Sequence, residues 1–92
     1  MKHCSYVPLM HCTGPQNVTV PAGAEFTGVF DYNGAPCVGY MYDPCVSPGY
    51  PMTYTIWMVY PNTSIGTARS VKSLGHLVLG GTLYSLFVEA QW

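Results

Sequence analysis

Apolar residues at every second position, in short stretches that end at proline or glycine turns, constrain the fold of this 92-residue chain more than any other feature. A period of two places alternate side chains on opposite sides of a pleated strand. In Gln16 to Val20, Val18 and Val20 share one side and Asn17 and Thr19 the other, before the turn Pro21-Ala22-Gly23-Ala24. Glu25 to Tyr32 follows, with Phe26, Gly28, Phe30 and Tyr32 in one phase, and the alternation predicts that Phe26 and Phe30 point to the core. Asn33-Gly34 accepts the positive φ angles of a two-residue hairpin turn. Cys37 to Asp43 is therefore expected to return beside it, with Val38, Tyr40 and Tyr42 in phase.

The prolines of Asp43 to Pro51 withhold too many backbone N–H groups for a sheet interior, so this stretch reads as a loop. Met52 to Tyr60 is the strongest strand. One side carries Met52, Tyr54, Ile56, Met58 and Tyr60, the other Thr53, Thr55, Trp57 and Val59. With both sides largely apolar, it is expected to be covered once by its own core and once by something else. Pro61-Asn62-Thr63-Ser64 is turn chemistry, and Ile65 to Ser73 reads as a polar edge strand guarded by Arg69 and Lys72. Leu74 to Leu79 and Thr82 to Trp92 flank Gly80-Gly81, a second hairpin signal. The last strand places Tyr84, Leu86 and Val88 opposite in phase to Ser85, Phe87 and Glu89.

Residues 1–15 show no sustained period and contain Pro8, Gly14 and Pro15, which predicts an extended N-terminal arm laid over a neighbour, followed by a single β domain over 16–92. Ten Gly, eight Pro and no long run of helix formers point the same way. The expected fold is all-β: a small antiparallel sandwich, jelly roll or barrel of about six to eight short strands with that arm.

Charge narrows the function. Only seven residues are charged (Lys2, Glu25, Asp31, Asp43, Arg69, Lys72 and Glu89), against 49% hydrophobic, where an average domain is about a quarter charged. Three basic residues cannot supply the phosphate contacts that drive nucleic-acid affinity, so no nucleic-acid partner is expected. A net charge of −1 also gives little of the repulsion that keeps monomers apart. Pro44, Pro48, Pro51 and Pro61 break the longest uncharged window, Pro44 to Ala68, well short of a membrane helix. No secretory signal is expected either, because Lys2 leads into His3, Cys4, Pro8, His11 and Pro15 instead of an apolar run. On that basis Asn17-Val18-Thr19 and Asn62-Thr63-Ser64 are chance matches to a glycosylation pattern.

Cys4, Cys12, Cys37 and Cys45 invite two chemical readings. His3-Cys4 and His11-Cys12 repeat a dipeptide eight residues apart, as Cys37 and Cys45 are also separated. Structural zinc sites use shorter knuckles that bring two ligands from one turn. The plain reading is reduced thiols that pack as small apolar residues. Disulfides, including one from the arm to the Cys37 to Cys45 region, and a metal site on His3, Cys4, His11, Cys12, Cys37 and Cys45 are the alternatives. None of the familiar nucleophile, zinc-protease, phosphate-loop or dinucleotide motifs occurs. The chain is expected not to be an enzyme and to need no cofactor. Glu25 and Asp31 read as solubilising carboxylates, and His76 as an ordinary core or surface histidine.

Eight Tyr, two Trp and three Phe exceed what so small a core encloses, and such rings anchor protein interfaces. Tyr50, Trp57, Val59, Tyr60 and Phe87 are the candidate interface. The expected function is that of a structural interaction protein, a small subunit of a larger assembly such as a viral or phage capsid decoration, cement or minor structural protein. Its partners would be copies of itself or a larger coat protein, and it would be made in the host cytoplasm. A carbohydrate- or ligand-binding module that uses Tyr40, Tyr42, Tyr50, Trp57 or Tyr60 as stacking platforms is the alternative, and a Cys/His metal-binding protein the second.

Overall fold

Residues 2–45, 51–66 and 70–89 are described by a computed structural model of the chain. Among them lie seven strands: β1 (His3–Pro8), β2 (Gly14–Pro21), β3 (Glu25–Tyr32), β4 (Ala35–Tyr42), β5 (Pro51–Val59), β6 (Val71–Leu79) and β7 (Thr82–Glu89). They form two antiparallel sheets, a three-stranded one in the order β1-β4-β3 and a four-stranded one in the order β2-β5-β7-β6. The two lie face to face as a sandwich, with β3 across β6. The described residues include no helix, and so none long and apolar enough to cross a membrane.

The core is the set of inward positions that the period of two selects. Val18, Ile56, Met58, Leu77, Leu79, Tyr84, Leu86 and Val88 come from the four-stranded sheet, and Val38 from the smaller one. Ile56, Met58, Leu86 and Val38 are fully buried. Two hairpins fall where the turn chemistry put them. Asn33 (φ 53°) and Gly34 (φ 82°) both take positive φ, and the Asp31 carboxylate accepts the Gly34 N–H at 2.8 Å. Gly80 and Gly81 do the same between β6 and β7, at 54° and 82°.

The predicted arm is not evident. His3–Pro8 is an edge strand paired with β4 from His3↔Tyr42 to Pro8↔Cys37, and the Leu9 N–H continues the pairing to the Pro36 carbonyl at 2.7 Å. Leu9 then enters the core, 6% exposed. The crossover to β2 is pinned by the Gln16 amide, which accepts the Met10 N–H at 2.7 Å and donates to the Met10 carbonyl at 3.0 Å. Alternation could not reveal β1, because only Val7 of its six side chains turns inward enough to be half-buried. The strand exists because β4 offers a row of backbone groups that must be paired.

Two β-bulges change the phase of their strands. The register of β3 shifts between Phe26 and Gly28, so Phe26 and Val29 pack against the core while Phe30, opposite Cys37, turns outward. The sequence had Phe26 and Phe30 on one side; Thr27 is the extra residue that separates them. In β6 the shift lies between Ser73 and Gly75, and Leu74 packs against the core. Gly28 (φ 149°) and Gly75 (φ 120°) supply the backbone freedom at these points. The bulges meet across the sandwich: a Cβ on Gly75 would lie 3.7 Å from Val29 Cγ2.

Of the polar strand expected over Ile65 to Ser73, residues 67–69 lie outside the described residues, and Ile65, Gly66 and Ser70 are not in a strand. Val71 to Ser73 run on into the strand expected from Leu74 as the single strand β6, while Pro61-Asn62 turns as expected, with Asn62 at φ 67°. Lys72 lies on the edge strand β6, as predicted, and Arg69 lies outside the described residues. Pro51 opens β5 opposite Pro21 instead of closing a loop. Pro21 and Pro51 thus sit at strand ends, where a missing N–H costs least.

Candidate functional site

Alternation in β5 and β7 sends Ile56, Met58, Leu86 and Val88 into the core and therefore turns Trp57 and Phe87 outward. The register makes those two direct cross-strand neighbours on the outer face of the four-stranded sheet. Both are half-buried. The indole N–H of Trp57 donates to Glu89 Oε1 at 3.2 Å, which fixes the ring on the sheet surface. Further along, Val78 pairs directly with Leu83, and these are 57% and 44% exposed. Between the two apolar pairs stand His76 and Ser85, with His76 Nδ1 and Ser85 Oγ 2.9 Å apart.

The β2 side of the same face is polar. Thr55 donates to Asn17 Oδ1 at 3.1 Å, and Thr19 and Thr53 share a hydroxyl contact at 3.3 Å. Apolar surface is thus concentrated toward β7 and β6.

The other candidate interface residues are placed differently. Val59 is only 6% exposed, so it is packed and cannot offer contact area. Tyr60 is half exposed but follows the end of β5 and stacks on Tyr84, with centroids 5.5 Å apart and planes at 25°. Tyr50 lies outside the described residues. Val78 and Leu83 were missed by the sequence reading, although the Gly80-Gly81 turn that pairs them was its second hairpin signal.

Tyr40 and Tyr42 are in phase with the buried Val38, which turns them toward the sandwich interior. They are not the open platforms expected for a ligand module. Tyr84 is buried, with His11 Nε2 at 3.2 Å from its hydroxyl and the two rings edge to face. Burial, and then the neighbouring Tyr60 phenol, raise its pKa above the ordinary tyrosine range. The protonated phenol is the form that the fold favours, so its contribution to stability is fully present below the ordinary tyrosine pKa and is lost as the pH rises from there through the raised value.

All four cysteines are free: Cys4, Cys12 and Cys45 are exposed and Cys37 is buried. Among the described residues no three His, Cys, Asp or Glu side chains converge to hold a metal. Burial raises the Cys37 thiol pKa, and the Asp31 carboxylate adds to the shift. Its thiol donates weakly to the Ala35 carbonyl at 3.7 Å. Because the thiolate is the reactive form, iodoacetamide at neutral pH is expected to add to Cys4, Cys12 and Cys45 and to spare Cys37 until denaturant is present. Intact mass against time reads this directly, and a fourth adduct appearing at the rate of the other three would show that Cys37 is open.

No protein-family model matches the chain. No curated protein and no solved structure is significantly similar to it.

Proposed function

We propose that the chain is a non-enzymatic structural subunit that docks on a second copy of itself through the outer face of its four-stranded sheet. The observation that carries this is the direct pairing of Trp57 with Phe87, on the same outward face as the exposed Val78 and Leu83 pair. Burying such rings removes a large apolar area from water. The face has few charges to desolvate, since Glu89 already accepts from Trp57 and His76 contacts Ser85. A near-neutral chain meets a copy of itself without appreciable repulsion.

Area sets the strength. Four strands about 4.8 Å apart and about eight residues long cover about 500 Å² per partner. The total is about 1,000 Å², at the lower limit for a specific contact. One such contact is weak, and a particle that repeats it many times is held by avidity. A viral or phage coat built or decorated by small β subunits is an assembly of this kind, and it suits a chain this short and this weakly charged.

Trp57→Ser and Phe87→Ser are each expected to weaken self-association by about ten-fold or more, with an unfolding free energy within about 1.5 kcal/mol of the parent chain. Light scattering against concentration and urea denaturation read the two quantities. Unfolding by either substitution would move these residues into the core and refute the interface. An unmodified chain that stays monomeric until a larger coat protein is added would replace the second copy with that partner.

A further inference from the structure

The outer face of the three-stranded sheet, opposite the proposed docking face, carries a notch of its own. Gly28 and Gly39 are direct cross-strand partners, and Gly39 also faces Tyr6 on β1, so one row across the sheet has a single large side chain. The result is a depression of about 380 Å³ above Gly39, walled by Tyr6, Thr27 and Phe30 with Cys4 and Ser5 along one side. A Cβ at residue 39 would stand 2.9 Å from Thr27 Oγ1, 3.7 Å from Phe30 Cε1 and 3.8 Å from the Ser5 carbonyl oxygen. A hydroxyl, a ring edge and a carbonyl therefore surround one point, and only glycine leaves that point open. Tyr6 stands edge to face with Phe30 (5.7 Å, 72°) and beside Tyr32 (5.7 Å, 32°), and the two tyrosines are 46% and 53% exposed.

We propose that this notch is a binding subsite for one uncharged, hydroxyl-bearing ring, a neutral pyranose sugar. No Lys, Arg, His, Asp or Glu lines the notch, so the site has no cationic side chain for a phosphate, a sulfate or a carboxylate. A purely apolar ligand would cover the Thr27 hydroxyl without giving it a partner, which costs affinity. A pyranose resolves both demands: its C–H face lies on the Tyr6 ring, and its hydroxyls reach Thr27 Oγ1 and backbone carbonyls. The volume lies at the small end of ligand sites and suits one ring rather than a drug-sized molecule. The bulge at Thr27 makes the site, because it turns Phe30 outward and sets the Thr27 hydroxyl over Gly39. The proposal is independent of the docking face, which uses the other sheet.

The test is NMR titration of the full chain with neutral hexoses and their short oligosaccharides, with glucuronic acid and a sulfated hexose as charged probes. The expected result is binding of at least one neutral sugar at about millimolar affinity, with shift changes confined to the neighbourhood of Tyr6, Thr27, Phe30 and Gly39. Tyr6→Ala and Thr27→Val are each expected to weaken that binding about ten-fold while leaving the oligomeric state unchanged. Thr27→Val keeps the β-branched shape and serves if Tyr6→Ala does not fold. The proposal is overturned if no neutral sugar perturbs these residues, if the charged probes bind as well, if the shifts fall around Trp57 instead, or if both folded variants bind like the parent.

Discussion

Leu86→Ala is expected to lower the unfolding free energy by about 3 to 5 kcal/mol. Leu86 is fully buried on β7, an interior strand of the four-stranded sheet, and it lies opposite Met58 on one side and Gly75 on the other. A glycine neighbour has no side chain to lean into the space that the lost methyl groups leave. The cavity therefore stays open, and the cost falls in the upper part of the range for such truncations. At about 0.1 kcal/mol per residue the whole chain is worth roughly 9 kcal/mol, so this one substitution removes a large share. Urea denaturation at a fixed protein concentration, with an unchanged m-value, gives the number. A loss under about 1 kcal/mol would mean that β7 is not at the centre of the sandwich.

A chain that begins at Gly14 is expected not to fold cooperatively. The sequence alone suggested instead an extended arm over residues 1–15, with the β domain confined to 16–92. The truncation removes β1, leaves one edge of β4 unpaired, takes Leu9 out of the core and deletes the Met10 backbone that Gln16 grips from both sides. Losing Leu9 alone costs about 2 kcal/mol or more, and the bared edge of β4 is an invitation to pair with other chains. Far-UV circular dichroism with thermal unfolding measures the outcome. A truncated chain that melts cooperatively within a few degrees of the full one would restore the arm.

Most of the fold was legible because most strands are amphipathic with a period of two. Five of the strands and both tight hairpins follow from alternation and from Asn33-Gly34 and Gly80-Gly81. What escaped has a common cause: local pattern carries no information where pairing or backbone conformation is set by another strand. β1 buries too little to show a period, yet β4 holds it. The bulges at Thr27 and Leu74 reverse the phase midway, so counting by twos from Phe26 put Phe30 on the wrong side. Gly28 and Gly75 are the marks that were there to be read, since an isolated glycine within a strand pattern signals a bulge. In the candidate site, Trp57 and Phe87 were found because each is out of phase with a strongly apolar partner face. Val59 shares that phase yet is packed away, a matter of local cover that alternation cannot express. Val78 and Leu83 become a pair only through the register of β6 and β7, which the second hairpin fixes.

Self-docking through the Trp57 and Phe87 face is tested most directly by sedimentation velocity on the unmodified chain over about two decades of concentration. The expected result is a defined oligomer that dissociates on dilution, with Trp57 less accessible to an aqueous quencher in the assembled state. A single species with the mass of one 10.0 kDa chain at every concentration, its indole equally open throughout, would contradict it.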